Sequence, residues 1–436
     1  MGQCQLHPQT IKPEEATTMK TKALRLYGKS DLRLEEFELP PIKEDELLVK
    51  IVSDSLCMSS YKAAVQGSDH KRVPDDIDKK PTIIGHEFCG EIIEVGGKYK
   101  EKYTIGQKFA LQPAMRDSQI AAGYSFPYVG GNTQYAIIPE CYIERDCVLL
   151  YEGESFFQGS LAEPISCVIG AAHASYHTQR GDYNHRMGIV EGGRTASLAS
   201  CGPMGLALID YLIHCDRKPS LLVVTDIDNA RINRAMELLP PSKAEVVGVK
   251  MIYQNTGKTK DPVGLLRELS GSEGFDDVFV FAPVSSVIEQ GDAILGYDGC
   301  LNFFAGPADP ALTARCNFYN VHYNATHIMG TSGGNTDDMK EALCMSAAGK
   351  LDPAILLTHI GGLDAAAEAT LRLPELPGFK KLIYNGISMP LTALSEFKEK
   401  GKKSRLFESL AEICEKNNGL WCNEAEKYLL ENAVKL

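Results

Sequence analysis

The sequence lacks the marks of several classes of protein. Its 436 residues contain no apolar run long enough to span a bilayer, and it starts without the basic and apolar blocks of a signal peptide. Leu6 stands where a myristoylation motif requires Ser or Thr. Positively charged residues are also relatively few, since the chain has 45 Lys and Arg but 57 Asp and Glu. The resulting net charge of −12 argues against a nucleic-acid partner, which needs clustered basic residues, and we expect no membrane partner.

Cysteine is present without the spacing of a disulfide or zinc-finger framework. The chain has 13 cysteines, an odd number, scattered from Cys4 to Cys422 with no CxxC pair. This usage favours free thiols in a reducing compartment, so we expect a cytoplasmic protein. A chain of this length exceeds one ordinary core, and two domains are the expectation.

Two kinds of segment follow one another along the chain. Residues 1–19 form an N-terminal extension with no assigned function. Up to about residue 140 the pattern predicts short strands between turns, at 46–52, 91–95, 108–112 and 133–138. From Arg194 onwards strands alternate with helices, which indicates an α/β fold with a parallel sheet. Its later strands are predicted at 277–281, 300–305 and 327–331, with a helix at 337–348 and another strand at 380–384.

A glycine turn follows the first strand of this α/β part. Strand 195–199 leads into Ser200-Cys201-Gly202-Pro203-Met204-Gly205 and then an apolar helix, and a second strand ends at Asp226. Gly202 would let the backbone approach a pyrophosphate, Gly205 would let the helix pack on the strand, and Asp226 would bind a ribose. Ser200 replaces the first glycine of this pattern. An ordinary strand-helix turn is the alternative.

Candidate metal ligands lie earlier in the chain. His86 and Glu87, between Gly85 and Gly90, suit a Zn²⁺ site with an open position, although adjacent His and Glu are also common as solvated polar residues. Cys57 and Ser59 follow a predicted strand. On its own Cys57 is more typical of a small buried hydrophobe, and Ser59 of a turn-forming or capping residue.

Glu163 is a further carboxylate, in an apolar setting and followed by Pro164. It is either another metal ligand or the acidic start of a helix. His173 and His177 would share one face of a helix, but they lack the Glu of an HExxH motif, and packing or surface positions are favoured.

Together these motifs resemble the zinc-dependent medium-chain dehydrogenases, with Glu163-Pro164 and Thr225-Asp226 most similar to the polyol (sorbitol-type) branch. Residues 302–307 and 317–324 and the long tail look like the bacterial L-sorbose 1-phosphate reductases. The resemblance implies a GroES-like, mostly-β catalytic domain at 20–168 and 334–390. A Rossmann domain at 169–333 would divide it, and a helical extension at 391–436 would follow.

The resemblance also implies site residues. Cys57 and His86 would bind one catalytic zinc, with Glu87 and Glu163 as carboxylates that join or exchange with water and substrate. Ser59 would relay the substrate proton, and Lys62 would stand further along that relay. Lys62 could equally be a surface residue or steady a substrate phosphate. Residues 113–131 contain no cysteine, so no structural zinc is expected.

The cofactor and substrate follow from the same resemblance. Asp226 would favour NAD(H) over NADP(H), and Arg231 would soften that preference. The implied activity is hydride transfer between NAD(H) and a polyol or ketose, with L-sorbose 1-phosphate reduced to D-glucitol 6-phosphate. The alternatives are a zinc-free quinone or enone reductase of the same fold and a non-catalytic NAD-binding sensor. We expect a homo-oligomer whose state the sequence leaves open.

Overall fold

The computed structural model describes residues 19–436. The expected N-terminal extension therefore lies outside the described residues, except for Met19, where the first strand begins. The described part forms 19 strands: β1 Met19–Gly28, β2 Asp31–Leu39, β3 Leu47–Ser55, β4 Thr82–Ile83, β5 Phe88–Val95, β6 Lys108–Leu111, β7 Tyr135–Ile138, β8 Val148–Leu150, β9 Tyr176–Gln179, β10 Asp182–Met187, β11 Arg194–Leu198, β12 Leu221–Asp226, β13 Lys250–Asn255, β14 Phe275–Val280, β15 Leu295–Phe303, β16 His327–Met329, β17 Leu357–Gly362, β18 Lys380–Tyr384 and β19 Thr392–Ala393.

The same residues contain 14 α-helices, several of them only one or two turns long. Their bounds are α1 Met58–Gln66, α2 Glu140–Ile143, α3 Phe156–Ala174, α4 Pro203–His214, α5 Asn229–Leu238, α6 Pro241–Val246, α7 Pro262–Leu269, α8 Ser285–Ala293, α9 Phe318–Tyr323, α10 Thr336–Ala347, α11 Ala366–Leu371, α12 Phe397–Gly401, α13 Arg405–Lys416 and α14 Asn423–Asn432.

A parallel sheet occupies the middle of the chain. Its six strands run in the order β13-β12-β11-β14-β15-β16, and every neighbouring pair is parallel. All six residues of β12 are buried, as continuous apolar strands are when helices cover both faces. The first crossover places β12 beside β11, so the turn after β11 opens at the carboxyl edge of the sheet. The predicted α/β fold is confirmed.

A larger sheet is built from strands at both ends of the sequence. Its order is β19-β17-β18-β3-β5-β6-β8, with β7 paired to β3. β3 and β18 are antiparallel, and Ser55 lies opposite Leu382. This pairing brings residues near 380 beside residues near 55 and 87, which no local sequence pattern reveals.

Helix α3 differs from its prediction. It begins at Phe156, so Glu163 and Pro164 lie inside the helix and the expected helix start at that pair is wrong. Proline within a helix removes one N–H donor, a cost that the surrounding packing must offset. Ser160 supplies part of this packing, since its hydroxyl donates to the Ser53 carbonyl oxygen of β3 at 2.9 Å.

The two histidines do not share a helix face. His173 lies in the last turn of α3, whereas His177 lies on β9, because the helix ends at Ala174. His173 Nδ1 is 2.7 Å from a carboxylate oxygen of Asp338 on α10, and His177 Nε2 is 3.1 Å from one of Asp277. Both histidines are structural partners of carboxylates.

The tail is helical, as expected, but its last helix is not capped by the residues whose spacing is typical of a capping box. Asn423 and Glu426 resemble a capping box in the sequence, whereas Cys422 is the N-cap residue of α14. The Glu426 carboxylate instead accepts hydrogen bonds from the backbone N–H groups of Phe156 and Phe157, at 2.7 and 2.8 Å. It therefore caps α3, whose own N-cap, Ser155, makes no side-chain hydrogen bond. None of the helices in the described part is long and apolar enough to cross a membrane.

Candidate active site

Cys57 and Ser59 lie where β3 passes into α1. Cys57 is the N-cap residue of α1, with an extended backbone at φ −123° and ψ 146°, and Ser59 lies in the first helical turn. The Cys57 Sγ and Ser59 Oγ atoms are 2.9 Å apart. The two-residue connection from β3 and the first turn of α1 thus present a thiol and a hydroxyl together.

His86 and Glu87 lie in the connection between β4 and β5. The turn depends on Gly85, whose φ of +96° favours glycine and where a Cβ would collide with Asn132 and Asp54. Asp54 holds the backbone of Glu87 and the side chain of Asn132. One of its carboxylate oxygens accepts a hydrogen bond from the Glu87 N–H at 3.1 Å, and the other accepts one from Asn132 Nδ2 at 2.8 Å.

Three ligand atoms meet at this point. One from each of Cys57, His86 and Glu87 lies within 4.8 Å of the other two. Thiolate, imidazole and carboxylate are together the donor set of a Zn²⁺ site that retains an open position. Burial lowers the pKa of His86, which favours the neutral, metal-binding imidazole, and burial raises the pKa of the Cys57 thiol. The residues therefore fit a divalent metal ion.

The two carboxylates of the site have different surroundings. Lys380 Nζ on β18 lies 2.5 and 2.7 Å from the two carboxylate oxygens of Glu87. Burial alone would raise the pKa of Glu87, but the adjacent Lys380 ammonium holds it below its usual value. Glu163 reaches the site from α3 and lies outside the compact group of three. Burial raises the pKa of Glu163 to about 7, although His86 opposes the increase.

Three hydroxyl groups surround the His86 ring. Ser60 Oγ and the Tyr124 hydroxyl lie 3.0 and 3.1 Å from Nδ1, and Ser59 Oγ lies 3.3 Å from Nε2. The Tyr124 hydroxyl also lies 3.4 Å from Nε2, so Ser60 is the group that would orient the imidazole through Nδ1 while a metal ion binds Nε2. Ser59 Oγ lies next to Cys57 Sγ and His86 Nε2, the position that a proton relay to a metal-bound group requires.

Lys62 stands apart from this group. Its side chain is half-buried on α1, and no hydrogen bond joins it to Ser59 within residues 19–436. Its predicted place in a proton relay therefore stays a prediction.

The nucleotide turn has the predicted form. α4 begins at Pro203 with Gly202 as its N-cap residue, and a Cβ on Gly205 would collide with Ser200. A Cβ on Gly202 would meet no atom within 4 Å, so this backbone is open to a ligand. The residue with a left-handed backbone in this turn is Ala199, at φ +54°. Ser200, which stands at the first glycine position of the pattern, does not have a positive φ and is therefore not strained.

Asp226 and Arg231 lie at the end of the neighbouring strand. The Asp226 carboxylate accepts the N–H groups of Cys201, Ile227 and Asp228, at 3.2, 2.8 and 3.1 Å. These bonds fix it at the carboxyl end of β12, beside the turn that precedes α4. Arg231 is exposed in the first turn of α5.

Comparisons with known proteins agree with this architecture. The alcohol dehydrogenase GroES-like domain family matches residues 43–145. The chain is 51% identical over 413 residues to mannitol-1-phosphate 5-dehydrogenase of Aliivibrio fischeri, covering 94% of this chain and 98% of that protein. It is 48% identical over 415 residues to L-sorbose 1-phosphate reductase of Klebsiella pneumoniae, covering 95% and 98%. The chain belongs to the medium-chain dehydrogenase/reductase family.

A solved structure has the same fold. The 2R,3R-butanediol dehydrogenase from Bacillus subtilis superposes with a TM-score of 0.68 at 22% sequence identity, covering 84% of this chain and 99% of that chain. The protein is an oxidoreductase, and the resemblance to the polyol branch of the family is confirmed.

Several contacts of the dehydrogenase site were not found from the sequence. Ser60 and Asp54 are close to Cys57 in the chain, and their polar side chains on a buried strand-helix junction are a usable local signal. Tyr124 and Lys380 carry none, since Lys380 is 293 residues from Glu87. Only the antiparallel pairing of β18 with β3 brings that ammonium to the site.

Proposed function

We propose that this dehydrogenase transfers hydride between a nicotinamide dinucleotide and a polyol or ketose phosphate, with L-sorbose 1-phosphate reduced to D-glucitol 6-phosphate. The observation that carries the proposal is the group formed by Cys57, His86 and Glu87. The open glycine turn before α4 adds a place for a dinucleotide. Two relatives of about half identity are named for sugar-phosphate substrates.

The site would hold one catalytic Zn²⁺ on Cys57 and His86, with Glu87 or Glu163 as the third protein ligand. When bound, the ion would polarise the substrate oxygen, and the dinucleotide would supply or accept hydride. Lys380 Nζ contacts both carboxylate oxygens of Glu87 and so neutralises its charge. We infer that this pairing leaves Glu87 fixed, so that Glu163 is the carboxylate free to move.

Ser59 is the residue proposed to move the substrate proton. Its Oγ lies beside both Cys57 Sγ and His86 Nε2, so a substrate oxygen that reaches these ligands also reaches the serine hydroxyl. In oxidation Ser59 Oγ would accept the alcohol proton while passing its own hydroxyl proton on to water, and in reduction both transfers would run in reverse. Replacing Ser59 with Ala should lower kcat by about 100-fold or more and leave metal content unchanged.

Asp226 supports a preference for NAD(H). A carboxylate at this position accepts the adenosine ribose hydroxyls and repels a 2′-phosphate. Its three backbone donors hold it in place, and the exposed Arg231, five residues further along the chain, would weaken the repulsion. Side-by-side measurement of kcat/KM for NADH and NADPH tests the assignment, and a clear preference for NADPH would contradict it.

The proposed activity is tested by following NADH oxidation over ketoses and their phosphates, with L-sorbose 1-phosphate as the first substrate. Chelation should abolish turnover and Zn²⁺ should restore it. Full activity in the chelated protein would favour a zinc-free reductase. Coenzyme binding without turnover of any substrate would favour a sensor.

We also propose a homo-oligomer. β16 is an edge strand of the parallel sheet, and edge strands expose unpaired backbone groups. The side chains of Phe318, Tyr319 and Tyr323 on nearby α9 and of Ile328 on β16 are exposed. A second copy would cover this apolar surface. Native mass measurement at micromolar concentration tests the proposal, and a monomer would contradict it.

A further inference from the structure

Basic side chains lie together at the edge of the metal-ligand group, and Tyr124 connects them to it. The Tyr124 hydroxyl contacts His86, while its ring stacks on His70 with centroids 5.5 Å apart and planes 8° apart. The guanidinium carbon of Arg72 lies 5.6 Å from the centre of the same ring. One phenol ring therefore has a candidate metal ligand at its hydroxyl end and two basic groups beside its ring.

Two further cations belong to this cluster. Burial lowers the pKa of His70, and the positive charges of Arg72, Lys71 and Lys62 lower it further. All three cations are close enough to the imidazole to act on it. The basic cluster is defined by His70, Lys71, Arg72 and Lys62.

The positive charge of the basic cluster is not neutralised locally. Within residues 19–436, no carboxylate oxygen lies within 4.0 Å of the charged nitrogens of Lys62, Lys71 or Arg72. Asp69 pairs with Lys29 and Asp76 with Lys80, and the other two acids of the segment, Asp75 and Asp78, are exposed and form no ion pair with the cluster. In a chain of net charge −12, this is an unbalanced positive group beside a catalytic site.

The loop that carries the cluster is held against the site. The Arg72 carbonyl accepts Ser125 Oγ at 2.6 Å, which ties the loop to the turn containing Tyr124. The Arg72 N–H donates to His70 Nδ1 at 3.3 Å. Because Nδ1 accepts this bond, the neutral imidazole carries its proton on Nε2, which remains available as a donor.

We propose that His70 and Arg72, with Lys62 and Lys71 adding positive charge, form the subsite that binds the phosphate group of the substrate. The inference rests on the proposed function and assigns residues to its phosphate. A guanidinium group can donate two parallel N–H bonds to phosphate oxygens, and His70 Nε2–H supplies a third. The substrate carbonyl would lie at the His86 end of Tyr124 and the phosphate beside its ring.

The first experiment compares phosphorylated and unphosphorylated substrates in the metal-loaded enzyme. Arg72→Gln should lower kcat/KM for L-sorbose 1-phosphate roughly 10- to 100-fold more than for L-sorbose, since a hydrogen bond between charged groups is lost. His70→Gln should give a smaller difference in the same direction. Lys79→Gln is the matched control, because it removes an exposed positive charge from the same loop outside the cluster. Equal losses on both substrates would overturn the subsite.

A second measurement does not depend on turnover. Inorganic phosphate added to the metal-loaded protein should show a broadened ³¹P resonance with the wild type and Lys79→Gln, and a sharp one with Arg72→Gln. Equal broadening in all three would overturn the proposal. If no ketose or polyol reacts, the proposed function fails, and the phosphate measurement still decides whether the basic cluster binds this anion.

Discussion

Two glutamates are buried to nearly the same depth in different regions of the molecule. Glu87 at the metal-ligand group is 1% exposed, and Glu426 at the junction of α14 with α3 is 2% exposed. The Lys380 ammonium holds the pKa of Glu87 below its usual value, whereas burial raises the pKa of Glu426 to about 7. The partners of Glu426 are the neutral Tyr384 hydroxyl and two backbone N–H groups. Charge on the partner, and not depth, decides which carboxylate stays ionised.

One strand serves both regions. Lys380 begins β18 and pairs with Glu87, while Tyr384 ends it and donates to Glu426 at 2.8 Å. The helix capped by Glu426 is α3, which carries Glu163 towards the metal ligands. The C-terminal helices therefore support the site through α3 and β18, although none of their residues is a candidate ligand.

The largest effect should come from Lys380→Met. This substitution leaves Glu87 as a buried charge without its partner, and removal of one member of such a pair costs about 3–5 kcal/mol. Denaturant unfolding of the metal-free protein measures the loss. Lys380→Arg, which keeps the charge, should lose less. A Lys380→Met protein as stable as the wild type would contradict the role of Lys380 as the charged partner that keeps Glu87 ionised.

The pH dependence of the free energy of unfolding should differ between the two carboxylates, Glu87 and Glu426. A carboxyl group whose pKa rises on folding binds more protons in the folded state, so the free energy of unfolding falls as pH rises from 4.5 to about 7. A tenfold change in proton affinity corresponds to about 1.4 kcal/mol, so Glu426 contributes roughly 3 kcal/mol over this window.

Glu426→Gln should reduce the slope of this part of the pH profile and leave the share of Glu163, whose pKa is also raised to about 7, while Glu424→Gln, an exposed change on the same helix, should leave the slope unchanged. The measurement is urea unfolding at a series of pH values with chelator present. An unchanged slope in Glu426→Gln would show that Glu426 does not titrate in this range.

The stabilisation that metal addition gives should depend on the metal-ligand group and not on Glu426. Zn²⁺ at about 100 times its dissociation constant should stabilise the wild type by about 2.7 kcal/mol. Cys57→Ser and His86→Ala should lose most of this gain, whereas Glu426→Gln should keep it. Thermal unfolding with and without metal gives the comparison. Equal stabilisation of Cys57→Ser and the wild type would place the metal elsewhere.

The smallest effect should come from Asn423→Ala. The structure gives Asn423 no capping role, so its loss should cost less than about 0.5 kcal/mol. Asn335→Ala is the positive control, because Asn335 forms a complete capping box with Asp338 at the start of α10 and its loss should cost about 1 kcal/mol. Unfolding curves of both variants test the reassigned role of Glu426.

The sequence predicted features whose signals lie close together in the chain. The strand at 380–384, the turn from Ser200 to Gly205 and Asp226 were found from periodicity and glycine spacing. The joint role of Cys57, His86 and Glu163 came from family resemblance and stays a prediction, as do the domain boundaries.

The missed features depend on contacts between distant segments. The pairing of Lys380 with Glu87 requires β18 to align with β3, and the cap on α3 comes from a residue 270 positions later. Pro164 is typical of a first helical turn, but in α3 it lies eight residues in. Tertiary packing decided these three cases, and no window of neighbouring residues contains that information.

The junction of the C-terminal helices with β18 also contains an optical reporter. Trp421 is the only tryptophan in the sequence, is fully buried, and donates its indole N–H to the Tyr384 hydroxyl at 2.8 Å. Fluorescence excited selectively in tryptophan therefore arises from this single location, next to the cap on α3. Emission at short wavelength corresponds to docked helices, and a shift to longer wavelength under conditions that keep the rest of the protein folded would show their release.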